Sequence, residues 1–340
     1  MSVGMKRATA TIRDVAREAE VSVASASRAL NGHANVTTKT RDRVVAAAEK
    51  LAYVPHLGAR SLTMARTNTI GVVLPDLFGE FFSEVIRGID RGAHADGLQL
   101  LLSNMHGDAG QTTQAIRAMR GRVDGLLVMS PGVDAAFLSA NLPVGLPAVV
   151  LGSPFEGEAH GSITIDNDGG ARAMVAHLAG CGYRRIAMIS GPAGNGDSQG
   201  RCVGFRAAVA ELLGDRDPVI LPGDFTEEAG HAAGAAILRD RRGIDAVFAA
   251  NDMMAVGCLA ALSAGGIVVP DQIAVTGFDD IPVARHVHPP LTTMRVHIAD
   301  MGTRAYDMLK ALIADPQAPG PPPQTVEPTL VVRQSTRQPG

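Results

Sequence analysis

Apolar residues recur at helical spacing through the first fifty residues, and polar capping residues interrupt the pattern. The apolar face of the first predicted helix comprises Ile12, Val15, Ala16 and Ala19. The predicted helix boundaries lie at capping residues, namely Thr11 with Asp14, Ser22, Asn31-Gly32, and Thr37 or Thr38. A helix, a short turn, a second helix and a supporting third helix together predict a helix-turn-helix unit.

From Asn68 onward, short apolar strands alternate with amphipathic helices of about ten to fifteen residues. The first series comprises TIGVVLP, LQLLLSN, VDGLLVMS and AVVLGS, with helices predicted over 81–96 and 110–121. The second comprises SITIDN, RRIAMIS, VILPGDF, DAVFAAND and IAVTGFDD, with helices predicted over 169–180, 200–213, 227–240 and 253–264. A Pro-rich loop over 315–324 precedes a last predicted strand, TLVVRQ. The alternation predicts an α/β core of two lobes, each a doubly wound parallel sheet.

Composition is that of an ordinary globular protein without a membrane span. The 340 residues are 46% hydrophobic, and no apolar run reaches the roughly eighteen residues that a spanning helix needs. The N-terminal stretch MSVGMKRATATIRDV lacks the apolar segment of a signal peptide. Cys181, Cys202 and Cys258 lack CxxC spacing, so we expect free thiols, no metal cluster and a cytoplasmic location.

Charge is distributed unevenly along the chain. Residues 1–66 carry 11 Lys/Arg against 5 Asp/Glu, a net charge of +6, whereas the remaining residues carry 20 against 29, a net charge of −9. A basic head on an acidic body suggests that only the head meets a polyanion. On charge alone, a solvated helical face is the alternative.

The second predicted helix, within VSVASASRAL, carries unusually small side chains. Small residues let a helix backbone approach base edges in the major groove, and aliphatic ones pack on thymine methyl groups. Arg28 is the only long donor in this stretch and has the geometry to bind guanine O6 and N7. Ala26, Ala29 and Leu30 are predicted to pack inward. A poorly packed surface helix is the alternative interpretation.

Polar residues follow several predicted strands of the core, where ligands bind in doubly wound sheets. These candidates are Asn195, Asp197, Arg201, Asn251 and Asp279. Carboxylates and amides pair with vicinal sugar hydroxyls, and aromatic side chains stack on sugar rings. The candidate aromatic residues are Phe81, Phe82 and Phe225. A structural ion pair between Arg201 and Asp279 is the alternative, and the His286-x-His288 pair lacks further metal ligands nearby.

The motifs TIRDVAREAEVSVASASRALNG, VTTKTRDRVVAAAEKLAYVPHLGARSL, TIGVVLPD, IDNDGGA, VFAANDMMAVG and VPDQIAVTGFDDIP resemble the LacI/GalR family of bacterial transcription regulators over residues 9–336. The resemblance implies a helix-turn-helix DNA-binding domain over 1–54 and a hinge helix with linker over 55–67. An effector-binding and dimerisation domain over 68–336 is implied to follow. Its two lobes resemble periplasmic sugar-binding proteins, with an N-lobe at about 68–167 and 298–328, and a C-lobe at about 168–297 and 329–336.

The resemblance also implies a homodimer on a pseudo-palindromic double-stranded DNA operator. Val23 and Ala24 match the base-reading pair of the family, Arg28 matches its arginine, and Leu62 matches the hinge leucine inserted into the minor groove. Family positions that contact phosphates or cap helices correspond to Thr11, Ser22, Ser25, Ser27, Asn31 and Thr37. Glu20 replaces the glycine common in the turn, which is expected to weaken contact with the DNA backbone.

In the core, the resemblance assigns effector binding to Arg201 and Asp279, and lining of the pocket to Phe81 and Phe225. Gly152 stands where many members carry Asp, so the effector of any one relative does not transfer to this chain. The implied function is a repressor of carbohydrate-utilisation genes, released from its operator by a sugar. A corepressor-dependent regulator responding to a purine, or a cytoplasmic sugar-binding protein, is the alternative. No catalytic set is recognisable, so an enzyme and a cofactor are not expected.

Overall fold

The computed structural model describes residues 10–31, 35–53, 66–77, 79–105, 109–129, 135–143, 145–154, 160–240, 243–317 and 320–338. They belong to two compact units, Met1–Thr67 and Asn68–Gly340. The predicted combination of a helical head with a two-sheet α/β core is confirmed. Within the described ranges, every helix falls short of the length and apolar character that crossing a bilayer requires.

The first unit is a head of three helices: α1 (Ile12–Glu18), α2 (Val23–Leu30) and α3 (Thr38–Lys50). Predicted caps start each helix, because the hydroxyls of Ser22 and Thr37 accept the amide N–H three positions further on. The carboxylate of Asp14 accepts hydrogen bonds from the amide and the hydroxyl of Thr11, at 3.0 and 2.7 Å. Small buried side chains form the core of the head: Val15, Ala16, Ala19, Ala26, Ala29, Val44, Ala47 and Ala48.

The first sheet of the second unit comprises β1 (Thr69–Leu74), β2 (Gln99–Asn104), β3 (Gly125–Met129), β4 (Ala148–Leu151), β5 (His160–Ile165) and β11 (Gln324–Val326). The strands lie in the order β11-β5-β4-β3-β1-β2 and pair in parallel throughout. The helices of this lobe are α4 (Glu80–Ala95), α5 (Ala109–Met119), α6 (Ala135–Asn141) and α11 (Ile298–Ala314). Strands β3 and β4 are buried along their whole length, as expected where helices cover both faces of a sheet.

The second sheet comprises β6 (Ile186–Ile189), β7 (Ile220–Leu221), β8 (Ala246–Ala249), β9 (Ala274–Asp279), β10 (Thr292–Arg295) and β12 (Thr329–Val331). Their order is β12-β10-β9-β8-β6-β7, and the edge pair β10–β12 is antiparallel whereas the others are parallel. The helices of this lobe are α7 (Asn167–Gly180), α8 (Gly196–Leu213), α9 (Glu227–Arg239) and α10 (Asp252–Ala264).

Within the described residues, the chain passes between the lobes at three segments, the first, second and third crossings: 165–167, 295–298 and 326–329. The amide N–H of Asp166 donates to the carbonyl oxygen of Val326 at 2.9 Å and so joins the first crossing to the third. The carboxylate of Glu80 in one lobe accepts the amide N–H of Val283 in the other, also at 2.9 Å.

The structure departs from the predicted elements where the periodic pattern is short or interrupted. VILPGDF forms only the two-residue β7, because Pro222 has no N–H to donate to a ladder. The predicted series lacked α6 and α11, and α8 begins four residues earlier than predicted because Asn195 caps it. TLVVRQ contributes only the short β12, whereas Gln324, predicted to lie in a loop, begins β11 in the other sheet.

Helices α4 and α11 of the first lobe pack at the distance that glycine allows. A Cβ atom at Gly88 would overlap the carbonyl oxygen of Ala299, and one at Gly302 would overlap that of Val85. We therefore expect Gly88→Ala to lower the free energy of unfolding by about 2–3 kcal/mol, because backbone must move to admit the methyl group. Urea unfolding of the full chain, followed by circular dichroism, measures the change.

The matched control for that prediction is Gly180→Ala, since a Cβ atom there meets nothing within 4 Å. This helical substitution should be neutral or raise the free energy of unfolding by about 0.4–1 kcal/mol. Equal unfolding midpoints for the two variants would show that the α4–α11 contact is not tightly packed.

Candidate functional site

Helix α2 of the head presents a bare outer face. Ser22, Val23, Ala24 and Arg28 are exposed, and Val23 is 44% accessible although its side chain is apolar. The inner face packs on the head core through buried Ala26 and Ala29, with Leu30 against them, as predicted. The exposed face therefore offers small groups and one guanidinium for contact with another molecule.

The guanidinium of Arg28 lies along this outer face. Its Nε donates to the carbonyl oxygen of Ala24 at 3.2 Å, one helical turn earlier. Ser22 and Ser25 are joined through their hydroxyl groups at 2.9 Å. The long donor and the small side chains of the first turn thus share one surface of α2.

The remaining residues predicted to meet DNA lie at helix ends, and several use their polar atoms as caps. Thr11 and Thr37 precede α1 and α3, and the side-chain amide of Asn31 donates to the hydroxyl of Ser27 at 3.4 Å. Leu62 and most of the predicted hinge lie outside the described residues.

Glu20 occupies the turn between α1 and α2 in a left-handed conformation, with φ of 51°. L-residues rarely adopt this conformation, which suits glycine. The carboxylate remains 86% exposed and pairs with the guanidinium of Arg43 at 3.4 Å. A negative charge therefore stands in solvent beside the helix-turn-helix, as the sequence indicated.

In the core, five of the predicted effector residues lie on segments that follow strands of the second lobe: Asn195, Asp197, Arg201, Phe225 and Asn251, with Asp279 as the last residue of β9. The structure brings Arg201 and Asp279 into direct contact, with 3.3 Å between the Nη2 and Oδ1 atoms. Their side chains are only 4% and 6% exposed. The structure therefore contains the ion pair between Arg201 and Asp279 that the sequence analysis gave as the alternative. An effector role for the same two residues stays a prediction.

Two aromatic rings surround the guanidinium of Arg201. Its Cζ lies 3.8 Å from the ring centroid of Phe278 and 6.0 Å from that of Phe225. Its Nη1 also donates to the carbonyl oxygen of Ala250. Phe278, which sequence reasoning missed, lies one residue before Asp279 and is fully buried. Every residue of β9 is buried, so the strand has no alternating pattern that would have revealed the orientation of this ring.

Asn167 is a second residue that the sequence analysis missed. It is buried, and its Oδ1 accepts a hydrogen bond from the Nε of Arg201 at 2.8 Å. Its Nδ2 donates to the Oδ1 of Asp197 at 2.8 Å. Polar residues at or beyond the ends of strands were the signal that identified the other candidates, and Asn167 lies two residues after the end of β5.

Asn195 and Asn251 use their amides to build the site. The Oδ1 of Asn195 accepts the amide N–H of Ser198 at 2.9 Å and so caps α8. The Oδ1 of Asn251 caps α10, and its Nδ2 donates to the carbonyl oxygen of Phe225 at 3.0 Å. Phe225 has a φ of 73°, so the amide of Asn251 stabilises a backbone conformation that is unusual for an aromatic residue.

Burial dominates the electrostatics of this cluster. Burial raises the pKa of Asp279 to about 7, against the opposing effect of the Arg201 guanidinium. Burial also raises the pKa of Asp197, although Arg201 and the amide of Asn167 oppose the change. The pKa of Asp252 is well above its usual value because of burial and the nearby Asp279. One buried arginine thus lies close to two carboxyl groups, Asp279 and Asp197, that burial makes costly to ionise.

The first lobe contributes a separate aromatic pair at the start of α4. The rings of Phe81 and Phe82 are half-buried and meet edge to face with 5.7 Å between centroids. Beside Asp279, a cavity of about 200 Å³ includes wall residues from both lobes, among them Glu84, Arg87, Arg285 and Arg295. Within the described residues, no group of three or more His, Cys, Asp or Glu side chains could hold a metal ion.

Comparison with known proteins finds similarity along nearly the whole chain. Residues 11–56 match the model for bacterial regulatory proteins of the lacI family, and residues 175–336 match a periplasmic binding protein-like domain. The transcriptional regulator GalR of Salmonella typhimurium is 34% identical to this chain over 97% of both proteins. The ribose operon repressor of Escherichia coli is 35% identical over 90% of this chain and 94% of the repressor. The crystal structure of the lac repressor dimer bound to operator and an anti-inducer superposes with a TM-score of 0.83, at 27% identity over 97% and 99% of the chains.

Proposed function

Because this chain belongs to the lacI family of bacterial regulatory proteins and is a DNA-binding regulator of transcription, we propose that it is a repressor of carbohydrate-utilisation genes. A small sugar that binds the Arg201–Asp279 cluster releases it from its operator. The family membership excludes the enzyme class, in agreement with the sequence analysis. Since its target is operator DNA, its proposed location is the cytoplasm.

On the DNA side, the proposal assigns base reading to the outer face of α2. Val23 and Ala24 contact base edges and thymine methyl groups, and Arg28 binds a guanine. Thr11, Ser22, Ser25, Ser27, Asn31 and Thr37 are proposed to contact phosphates or to hold the helices that do so. Two copies of the head bind the two halves of a pseudo-palindromic operator as a homodimer, with Leu62 as the wedge in the minor groove.

On the effector side, one observation carries the proposal: a buried arginine and a buried carboxylate meet at the carboxyl end of a parallel sheet, beside aromatic rings. A carboxylate accepts hydrogen bonds from adjacent sugar hydroxyls, and a guanidinium donates to sugar oxygens from a fixed plane. We assign Asn195, Asp197, Asn251, Phe81, Phe82 and Phe225 to the same pocket. The relative named for the ribose operon supports a sugar as the ligand class.

The proposed mechanism couples the two sites through the lobes. The N-lobe at about 68–167 and 298–328 moves against the C-lobe at about 168–297 and 329–336 when sugar binds between them. The movement changes the spacing of the two hinge segments, so that the operator is released. Reciprocity requires operator binding to weaken sugar binding by the same factor.

Thermal unfolding of the full chain across a panel of mono- and disaccharides, their phosphates and purines tests this function. A sugar at one hundred times its dissociation constant should stabilise the core by about 2.7 kcal/mol, which is a readily measured shift. The stabilising sugar should then weaken operator binding. A purine that tightens operator binding would instead establish the corepressor mode, and no response to any sugar would refute the effector assignment.

A further inference from the structure

The candidate effector residues are bonded to the segments where the chain passes between the lobes. The Nε of Arg201 donates to Asn167 at the first crossing. At the second crossing, the amide N–H of Val296 donates to the carbonyl oxygen of Asp279 at 3.3 Å. Movement of either effector residue therefore reaches a crossing through a single hydrogen bond.

Asn167 makes this connection with both ends of its amide. Its Oδ1 accepts from Arg201, while its Nδ2 donates to Asp197 and, at 3.2 Å, to the carbonyl oxygen of Ile165. Ile165 is the last residue of β5 in the first lobe, whereas Arg201 and Asp197 belong to α8 in the second. Among side chains of this size, only an amide accepts and donates in this way, because a carboxylate has no proton to give when ionised.

The packing around Asn167 leaves little room to absorb a displacement. A Cβ atom at Gly200 would lie 2.9 Å from the Cβ of Asn167, and one at Gly204 would overlap the carbonyl oxygen of Asp168. The helix that carries Arg201 is thus seated directly on the first turn of α7. A shift of Arg201 on ligand binding is transmitted because close-packed groups move together.

The carboxylate of Asp280, next to Asp279, stabilises the connection between Asp279 and the second crossing. Its two oxygens accept from the guanidinium groups of Arg295 and Arg333, each at 2.6 Å. Asp279 and Asp280 have φ values of 111° and 56°, in a region that L-residues rarely occupy. The two ion pairs hold the end of β9 in this conformation, so Asp279 is fixed relative to the second crossing.

We propose that Asn167 is a positioning residue that couples the effector cluster to the angle between the lobes. It orients Arg201 and Asp197 toward the ligand and passes their displacement to Ile165 at the first crossing. The sugar-dependent part of this inference rests on the proposed function. The mechanical link between Arg201 and the crossing does not, because it exists without a ligand.

A ligand-free experiment tests the link by hydrogen exchange in the full-length protein. Arg201→Lys should speed amide exchange over residues 164–170 by about tenfold, the effect expected for losing one hydrogen bond to a charged group. Asn167→Ala should speed exchange by at least as much, because it also removes the hydrogen bonds to Asp197 and Ile165. The double variant should be no faster than Asn167→Ala, because both substitutions break the same connection. Additive effects, or exchange at the wild-type rate in Arg201→Lys, would overturn the link.

A second measurement uses D-ribose, D-galactose and cellobiose as probes and separates affinity from coupling. For a probe that stabilises the wild-type chain, Asn167→Ala should change its dissociation constant by less than tenfold. In Asn167→Ala, the factor by which that probe weakens operator binding should fall close to one, so that the sugar still binds but no longer releases the operator. A role in stability alone would leave this factor unchanged and would refute the coupling.

Asp245→Ala is the matched control in the same lobe. The carboxylate of Asp245 accepts two backbone N–H groups, from Arg184 and Arg185 at 2.8 and 3.0 Å, away from the crossings. This variant should lose stability but keep both the wild-type exchange over 164–170 and the wild-type coupling factor. If no probe stabilises the wild-type chain, the proposed function fails. The hydrogen-exchange rates of the two single variants and the double variant still decide the role of Asn167.

Discussion

Asp279→Asn is expected to weaken binding of the stabilising sugar by about a hundredfold, since two hydrogen bonds to a charged acceptor would be lost. Binding to the operator without sugar should remain within twofold of wild type, because the head is a compact unit separate from the one that contains Asp279. The substitution preserves shape and removes the carboxylate that pairs with Arg201 at 3.3 Å. Isothermal titration with the sugar and operator titration at fixed salt measure the two quantities.

The pH dependence of sugar binding provides a second readout for the same variant. Because burial raises the pKa of Asp279 to about 7, a growing fraction of this carboxyl is protonated in the free protein as the pH falls below that value. Sugar binding to the wild type should therefore weaken between pH 8 and pH 6, as the charged acceptor is lost. The affinity of Asp279→Asn should be nearly independent of pH over that range.

Asp245→Asn provides a control with the same chemical change in the same lobe, and it should retain the wild-type affinity for sugar. The structural ion-pair interpretation predicts a different result for Asp279→Asn, namely lower thermal stability with an unchanged response to sugar. That outcome would remove Asp279 from the effector site and leave the DNA-binding function intact.

The placement of the candidate effector residues near the ends of strands could be predicted because it depends on local rules. Asp279 ends one of the parallel strands, and Asn251 and Arg201 lie on segments that follow two others, and the carboxyl ends of such strands converge at one edge. The caps of the head followed from residue type in the same way, as Ser22 and Thr37 show.

The partners of those residues could not be predicted, because they depend on packing between distant segments. Asn167 meets Arg201 across 34 positions of sequence, and Asp280 meets Arg333 across 53. The sequence analysis assigned Asn195 only to the effector site and did not identify it as the cap of α8, although asparagine is a preferred N-cap residue. The crossing segments are likewise defined by which sheet each strand joins, so β11 and β12 enter different sheets although they are separated by only two residues.

Arg28→Met is expected to lower operator affinity by about 1–3 kcal/mol, or roughly fivefold to 150-fold, because a bidentate contact with guanine is lost. Affinity for random-sequence DNA should change far less, since non-specific binding depends on phosphates. An operator selected from random duplexes with the wild-type chain serves as the probe. The exposed position of Arg28 means that the head should keep its stability.

Lys39→Met is the matched control, because Lys39 is exposed in the first turn of α3, two residues from the proposed phosphate contact Thr37. Losing a phosphate contact should weaken specific and random-sequence binding alike and reduce the salt slope by about 0.9. Arg28→Met should instead keep the slope and lower the ratio of specific to random-sequence affinity. If both variants weakened the two kinds of DNA equally, Arg28 would be a phosphate contact, and base reading would rest on Val23 and Ala24 alone.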